Sequence, residues 1–72
     1  MTTQEAISII LSDEPAYPKS LNYAVYYCQA ARGMSGHELA VQCLYILGNI
    51  THWRHPQAKE VRVQLKLASK EA

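Results

Sequence analysis

Hydrophobic and polar positions along this chain recur with helical rather than strand periods for most of its length. Ala6, Ile7, Ile9, Ile10 and Leu11 fill one arc at about 100° per residue, while Gln4, Glu5, Ser8 and Ser12 fill the other. An amphipathic helix is therefore predicted to begin at the N-terminus. Thr2 followed by Glu5 is a capping-box spacing, in which each side chain satisfies the other residue's orphan N–H. Pro15 and Pro18 end this helix and enclose a turn from Asp13 to Lys19.

From Lys19 to Arg32, Leu21, Ala24, Val25, Cys28 and Ala31 recur at steps of three and four, which predicts a second helix. Gly33 is placed to close it as a left-handed C′ residue. Ser35 and Glu38 repeat the capping-box spacing at the start of a third helix, whose face is Leu39, Cys43, Ile46, Leu47, Ile50 and Trp53. One more residue in that phase would bury Arg54, so this helix should stop near Trp53. Gly48 inside it either permits close approach of another helix or marks an earlier end. His55-Pro56 breaks the chain, with Pro56 suited to the first position of a fourth helix. Val61, Val63, Leu65 and Leu67 alternate like a half-buried strand. A lone strand would need a second chain to pair with, however, and Gln, Lys, Glu, Ala and Leu are good helix formers. The predicted fold is all-α, a compact bundle of three to four short helices in a single domain over residues 1–72, with the third helix central.

Surplus apolar surface appears on the second helix. With Leu21 set at 0°, its core residues span about 280° to 40°, and Tyr23, Tyr26, Tyr27 and Ala30 lie at about 140° to 240°. A helix apolar nearly all round is covered on both sides or offers an aromatic face to a partner. On the third helix Val41, Tyr45, Gly48 and His52 fall within about 60° of arc, opposite the core face. Tyr23, Tyr26, Tyr27, Ala30, Val41 and Tyr45 are the candidate protein interface.

Composition narrows these readings. With 72 residues, 49% of them apolar and 18% charged, the chain has enough hydrophobe to fold and room for one core only. A core this small supplies no more than ~3–5 kcal/mol, which favours oligomerisation as a supplement. No apolar run approaches the ~18–20 residues of a membrane span, and no basic segment precedes an apolar one as in a secretory signal. Cys28 and Cys43 each fall inside a helical apolar pattern, as reduced core cysteines of a cytoplasmic protein do. The net charge of +1 hides an asymmetry. Up to Ile50, Lys19 and Arg32 stand against Glu5, Asp13, Glu14 and Glu38; beyond it, Arg54, Lys59, Arg62, Lys66 and Lys70 stand against Glu60 and Glu71.

Lys59, Arg62, Lys66 and Lys70 lie within about 80° of arc on the fourth helix, and His55 falls on the same line. Such a line is either a solvated face, favoured by the helix dipole and by long stems covering apolar neighbours, or a track along a phosphate backbone. A nucleic-acid-reading helix would offer amide or guanidinium side chains in its first turns, where only Gln57 stands. His52 and His55, with His37 or Cys43, lack the ligand spacing of known zinc sites, so no metal is expected. No glycine-rich phosphate loop, nucleophile elbow or H-E-x-x-H motif occurs, and no catalytic residue, cofactor or small-molecule substrate is expected.

The run Leu44-Tyr45-Ile46-Leu47-Gly48-Asn49-Ile50-Thr51-His52-Trp53-Arg54, followed by Ala58-Lys59-Glu60-Val61-Arg62, resembles short helical proteins encoded by phages and prophages of bacteria. The likeness covers Leu21 to Leu67 and brings no assigned activity with it. It implies a mobile-element setting, with Trp53 closing the core and Arg54 capping a helix C-terminus. The function expected from the whole is a non-enzymatic interaction module that pairs with itself or a protein partner through the tyrosine face. The alternative is an accessory nucleic-acid-binding protein using the basic last helix.

Overall fold

In the computed structural model, which describes residues 1–71, the reciprocal cap at the N-terminus forms as the sequence demands. The Glu5 N–H donates to the Thr2 hydroxyl at 3.1 Å, and the Thr2 N–H donates to the Glu5 carboxylate at 2.8 Å. That pair opens helix α1 (Thr3–Ser12), which buries Ala6, Ile7 and Ile10. A single 3₁₀ turn over Glu14–Ala16 follows, with Pro15 in its first turn. The N–H groups of Lys19, Ser20 and Leu21 all then turn onto the Ala16 carbonyl, at 3.0, 3.0 and 3.1 Å. This knot delays the second helix. Helix α2 spans only Ala24–Ala31, and Tyr23 is its N-cap rather than an interior residue, although Leu21 is fully buried as expected.

Helix α3 spans Gly36–Gly48 and α4 spans Ala58–Ser69, giving four α-helices and no strand among the described residues. The alternation in the last segment resolves as a helix: Val61 and Leu65 are fully buried, whereas Val63 and Leu67 are 53% and 54% exposed. Helix α1 packs on α2 and α4, and α3 packs on the same two, so the helices close a ring around one core. No helix is central, contrary to the role expected of α3. An eight-residue α2 is too short to wrap a central rod, and α1 completes the enclosure instead.

Further boundaries differ from the sequence reading: α4 begins at Ala58 with Gln57 as N-cap, so Pro56 stands before the helix rather than at its first position, and three others shift through local hydrogen bonding. Gly33 is not left-handed. The N–H groups of Arg32, Gly33 and Met34 bond back three residues to Gln29, Ala30 and Ala31, which tightens the end of α2 without reversing the chain. The left-handed residue is Gly36, at φ 59°, and the Ser35 side chain directly before it makes no cap bond. A left-handed residue at that point turns the backbone between the Ser35 hydroxyl and the Glu38 N–H, so the second capping box does not form. Finally, α3 stops at Gly48 rather than near Trp53. The N–H groups of Asn49 and Ile50 bond back three residues, and the Asn49 amide donates to the Tyr45 carbonyl at 2.8 Å. Ile50 and Trp53 remain buried beyond the helix.

Each seam of the ring carries a side-chain hydrogen bond. Gln4 of α1 donates to the Ala31 carbonyl at 3.1 Å, and Gln42 of α3 donates to the Tyr27 carbonyl at 2.9 Å. Gln64 of α4 donates to the Thr3 hydroxyl at 3.2 Å. Arg62 of α4 donates to the carbonyls of Ile50 and Trp53 at 2.7 and 2.6 Å, just past the end of α3.

A Cβ added at any of the three glycines meets nothing within 4 Å, so backbone conformation alone decides their substitution. Gly36→Ala should destabilise the fold by about 1–2 kcal/mol. Gly48→Ala should stabilise it by up to about 1 kcal/mol, and Gly33→Ala should not carry the Gly36 penalty. Urea denaturation of the three variants checks the assignment, and an equal loss at Gly33 and Gly36 would contradict it.

Candidate functional site

The tyrosine face is built on the α2–α3 seam. Gln42 is itself buried and holds the Tyr27 carbonyl, which fixes α2 against α3. Above that bond the rings of Tyr27 and Tyr45 stack, with centroids 5.8 Å apart and planes at 20°. Tyr23 and Tyr26 are 65% and 69% exposed, Tyr45 is 54% exposed and Tyr27 is 36% exposed, so the other helices leave this face open. Ala30 is exposed and Val41 half-buried. Tyr26 also lines a shallow hollow with Tyr17, Pro18, Asn22, Val25 and Gln29.

Tyr17 was not foreseen as part of this surface. Its hydroxyl donates to the Leu11 carbonyl, which locks the turn between α1 and α2 beside Tyr26. Its pKa is pushed above the ordinary phenol value by burial first, and by the charge of Glu14 second. Leu44, 51% exposed, extends the apolar surface of α3 next to Tyr45. A tyrosine between two prolines was the one available signal for the first. For Leu44 the helical phase was the signal, since it falls about 100° from the buried Cys43.

The second surface lies on α4. Lys59, Lys66 and Lys70 are exposed, but Arg62 is half-buried and spends its guanidinium on the two carbonyls beyond α3. The helix-capping role that the resemblance implied for Arg54 falls to Arg62, because Arg54 is exposed and Arg62 reaches the end of α3 from the neighbouring helix. Leu47, Thr51, Lys59, Arg62, Val63 and Lys66 line a groove between α3 and α4. Trp53 closes the core at 1% exposure. Its indole N–H donates to the Asp13 carboxylate at 2.8 Å and its ring stacks on His55 at 5.2 Å.

The histidines considered for a metal do not converge. His37 and His52 are exposed, His55 lies on Trp53 with its Nδ1 accepting from the Gln57 N–H at 3.0 Å, and Cys43 is fully buried. Among the described residues no three His, Cys, Asp or Glu side chains are placed to hold an ion, and no helix is long and apolar enough to cross a membrane. Both cysteines are free and buried. Burial pushes the Cys28 thiol up to about 12, with Cys43 adding to the effect, and pushes Cys43 up as well.

These features define a small all-α protein with two chemically distinct exposed faces, one rich in tyrosine and one in lysine. No family model matches the chain, and comparison with curated proteins and with solved structures likewise gives no match.

Two predictions follow from this geometry. Arg62→Met leaves the Trp53 carbonyl without its donor and the Ile50 carbonyl with the Trp53 N–H alone, and should cost about 1–3 kcal/mol in thermal or chemical denaturation, against less than about 0.5 kcal/mol for Arg54→Met. A thiol whose folded pKa is raised contributes stability fully below the unfolded value of 9.0, and that contribution is lost as pH rises toward about 12. Stability should therefore fall with a slope approaching about 1.4 kcal/mol per pH unit per thiol once above the unfolded value. Cys28→Ala should flatten the slope, and a thiol reagent at neutral pH should label the native chain only as fast as it opens.

Proposed function

We propose that this chain is a non-enzymatic interaction module whose tyrosine face docks on a protein surface, with a second copy of itself as the first partner to consider. The observation that carries the reading is the open Tyr27–Tyr45 stack, flanked by Tyr23 and Tyr26. Tyrosine suits such a face because its ring contributes large apolar area at low entropic cost and its hydroxyl tolerates water while unbound. None of Tyr23, Tyr26, Tyr27, Ala30, Val41 and Tyr45 is charged at neutral pH, so two copies meet there without like-charge repulsion.

The four exposed rings together offer on the order of 450 Å² of aromatic surface. Ala30, Val41 and Leu44 widen the patch toward the roughly 800 Å² per partner of a standard interface. An association of this size is reversible and concentration-dependent. The resemblance to phage and prophage proteins makes a phage or host protein the second partner to try.

The accessory nucleic-acid role rests on Lys59, Lys66 and Lys70, since Arg62 is engaged within the fold. It keeps three cations on one helix face and lacks an exposed aromatic among them.

Sedimentation equilibrium should show a mass that rises with concentration. Tyr23→Ser combined with Tyr27→Ser should raise the dissociation constant about thirtyfold or more while leaving the helical circular dichroism intact. A monomer at all concentrations that also binds no protein partner would remove the reading.

A further inference from the structure

We propose that the groove between α3 and α4 is a second docking site, which takes an acidic amphipathic helix of a partner protein. This surface is separate from the tyrosine face, and the inference does not rest on that reading. Leu47 and Val63 form an aliphatic floor, and Lys59, Arg62, Lys66 and Thr51 form the rim, around a volume of about 450 Å³. No carboxylate lines it. Val63 is 53% exposed, so the floor is open to an incoming side chain.

The positive charge continues past the end of α3, where Arg62 and Thr51 are shared with an adjoining hollow lined by His52, Trp53 and Arg54. Arg62 spends its guanidinium on two carbonyls of the fold, so its charge adds to the field of the groove while Lys59 and Lys66 are the cations free to pair with an incoming carboxylate. Glu60 borders Lys59 from the opposite side, in a hollow with Met1, Val63 and Gln64, which leaves the Lys66 end of the groove the more strongly cationic.

The spacing selects the shape of the ligand. Lys59 and Lys66 are seven residues apart, about two turns or ~10.5 Å along α4, with Val63 between them. A helix laid along the groove meets both cations with carboxylates at positions i and i+7, and meets Leu47 and Val63 with an aliphatic residue at i+3 or i+4. Nucleic acid fits less well. A base needs an exposed ring or guanidinium plane to stack on; Trp53 is 1% exposed, the exposed tyrosines belong to the α2–α3 seam, and the exposed His52 and Arg54 line the adjoining hollow rather than the groove itself.

Fluorescence anisotropy with the full chain tests this, using three labelled probes. One is an amphipathic peptide with Glu at i and i+7 and Leu at i+3 and i+4. The others are a scrambled peptide of the same composition and a single-stranded oligonucleotide. The ordered peptide should bind about tenfold more tightly than the scrambled one and weaken as salt rises. Lys59→Glu with Lys66→Glu should weaken it by a further factor of about ten or more, and Val63→Asp should do the same with the helical content intact. Tyr23→Ser with Tyr27→Ser should leave it unchanged, so failure of the tyrosine face and failure of the groove are read separately. Equal binding of both peptides, tighter binding of the oligonucleotide, or no peptide binding would each overturn the proposal.

Discussion

The structure turns on the segment between Gly48 and Ala58, where the chain leaves α3 but must still bury Ile50 and Trp53. Burying side chains from non-helical backbone takes their carbonyls out of the helical ladder: the Ile50 carbonyl keeps one backbone donor, the Trp53 N–H at 3.1 Å, and a carbonyl left unpaired near the core costs about as much as a lost hydrogen bond. Arg62 answers that cost by donating to the carbonyls of both residues, at 2.7 and 2.6 Å. Trp53 passes the constraint on through its indole N–H to Asp13, in the turn between α1 and α2. One junction thereby ties the ends of α1 and α3 to the body of α4. It also agrees with the rotation that the apolar phase of α4 sets, with Val61 and Leu65 inside and Lys59, Val63 and Lys66 outside.

The other three seams use glutamine, at positions 4, 42 and 64. A half-buried contact between helices suits a neutral amide, which donates a directional bond without the desolvation cost of a charge. Arginine appears only where one donor group must serve two carbonyls, a task that suits a planar cation with several N–H groups. In a chain of 72 residues the apolar contacts permit more than one helix register, and a directional bond at every seam narrows that choice.

Patterns that act over one or two turns were legible in the sequence. The Thr2–Glu5 box, the buried face of α1 and the burial of Cys28, Cys43, Val61 and Leu65 all follow from residue type and phase. Competition between local hydrogen bonds was not legible. Whether Gly33 or Gly36 turns left-handed depends on how α2 tightens at its end. The end of α3 was hidden because Ile50 and Trp53 keep the helical phase after the helix has stopped. Arg54 and Arg62 are equivalent by composition, and only the approach of α4 to the end of α3 distinguishes them. For the candidate surfaces, the tyrosines of α2 were legible as surplus apolar area. The Tyr27–Tyr45 stack and the place of Tyr17 beside Tyr26 depend on tertiary packing and turn geometry that periodicity does not encode.

The two exposed faces place opposite demands on whatever meets them. A surface that pairs with its own copy brings identical groups together across a two-fold axis, so it must tolerate its own charge. The six residues of the tyrosine face satisfy that condition, since none is charged at neutral pH. The α4 face does not. A copy of it would set Lys59, Lys66 and Lys70 against the same lysines around a shared aliphatic strip, with Glu60 and Glu71 too few to offset them. Association through α4 therefore requires an unlike surface that supplies the missing negative charge. The near-neutral total of the chain conceals this division, because charge is sorted by element and the tyrosine face itself carries none.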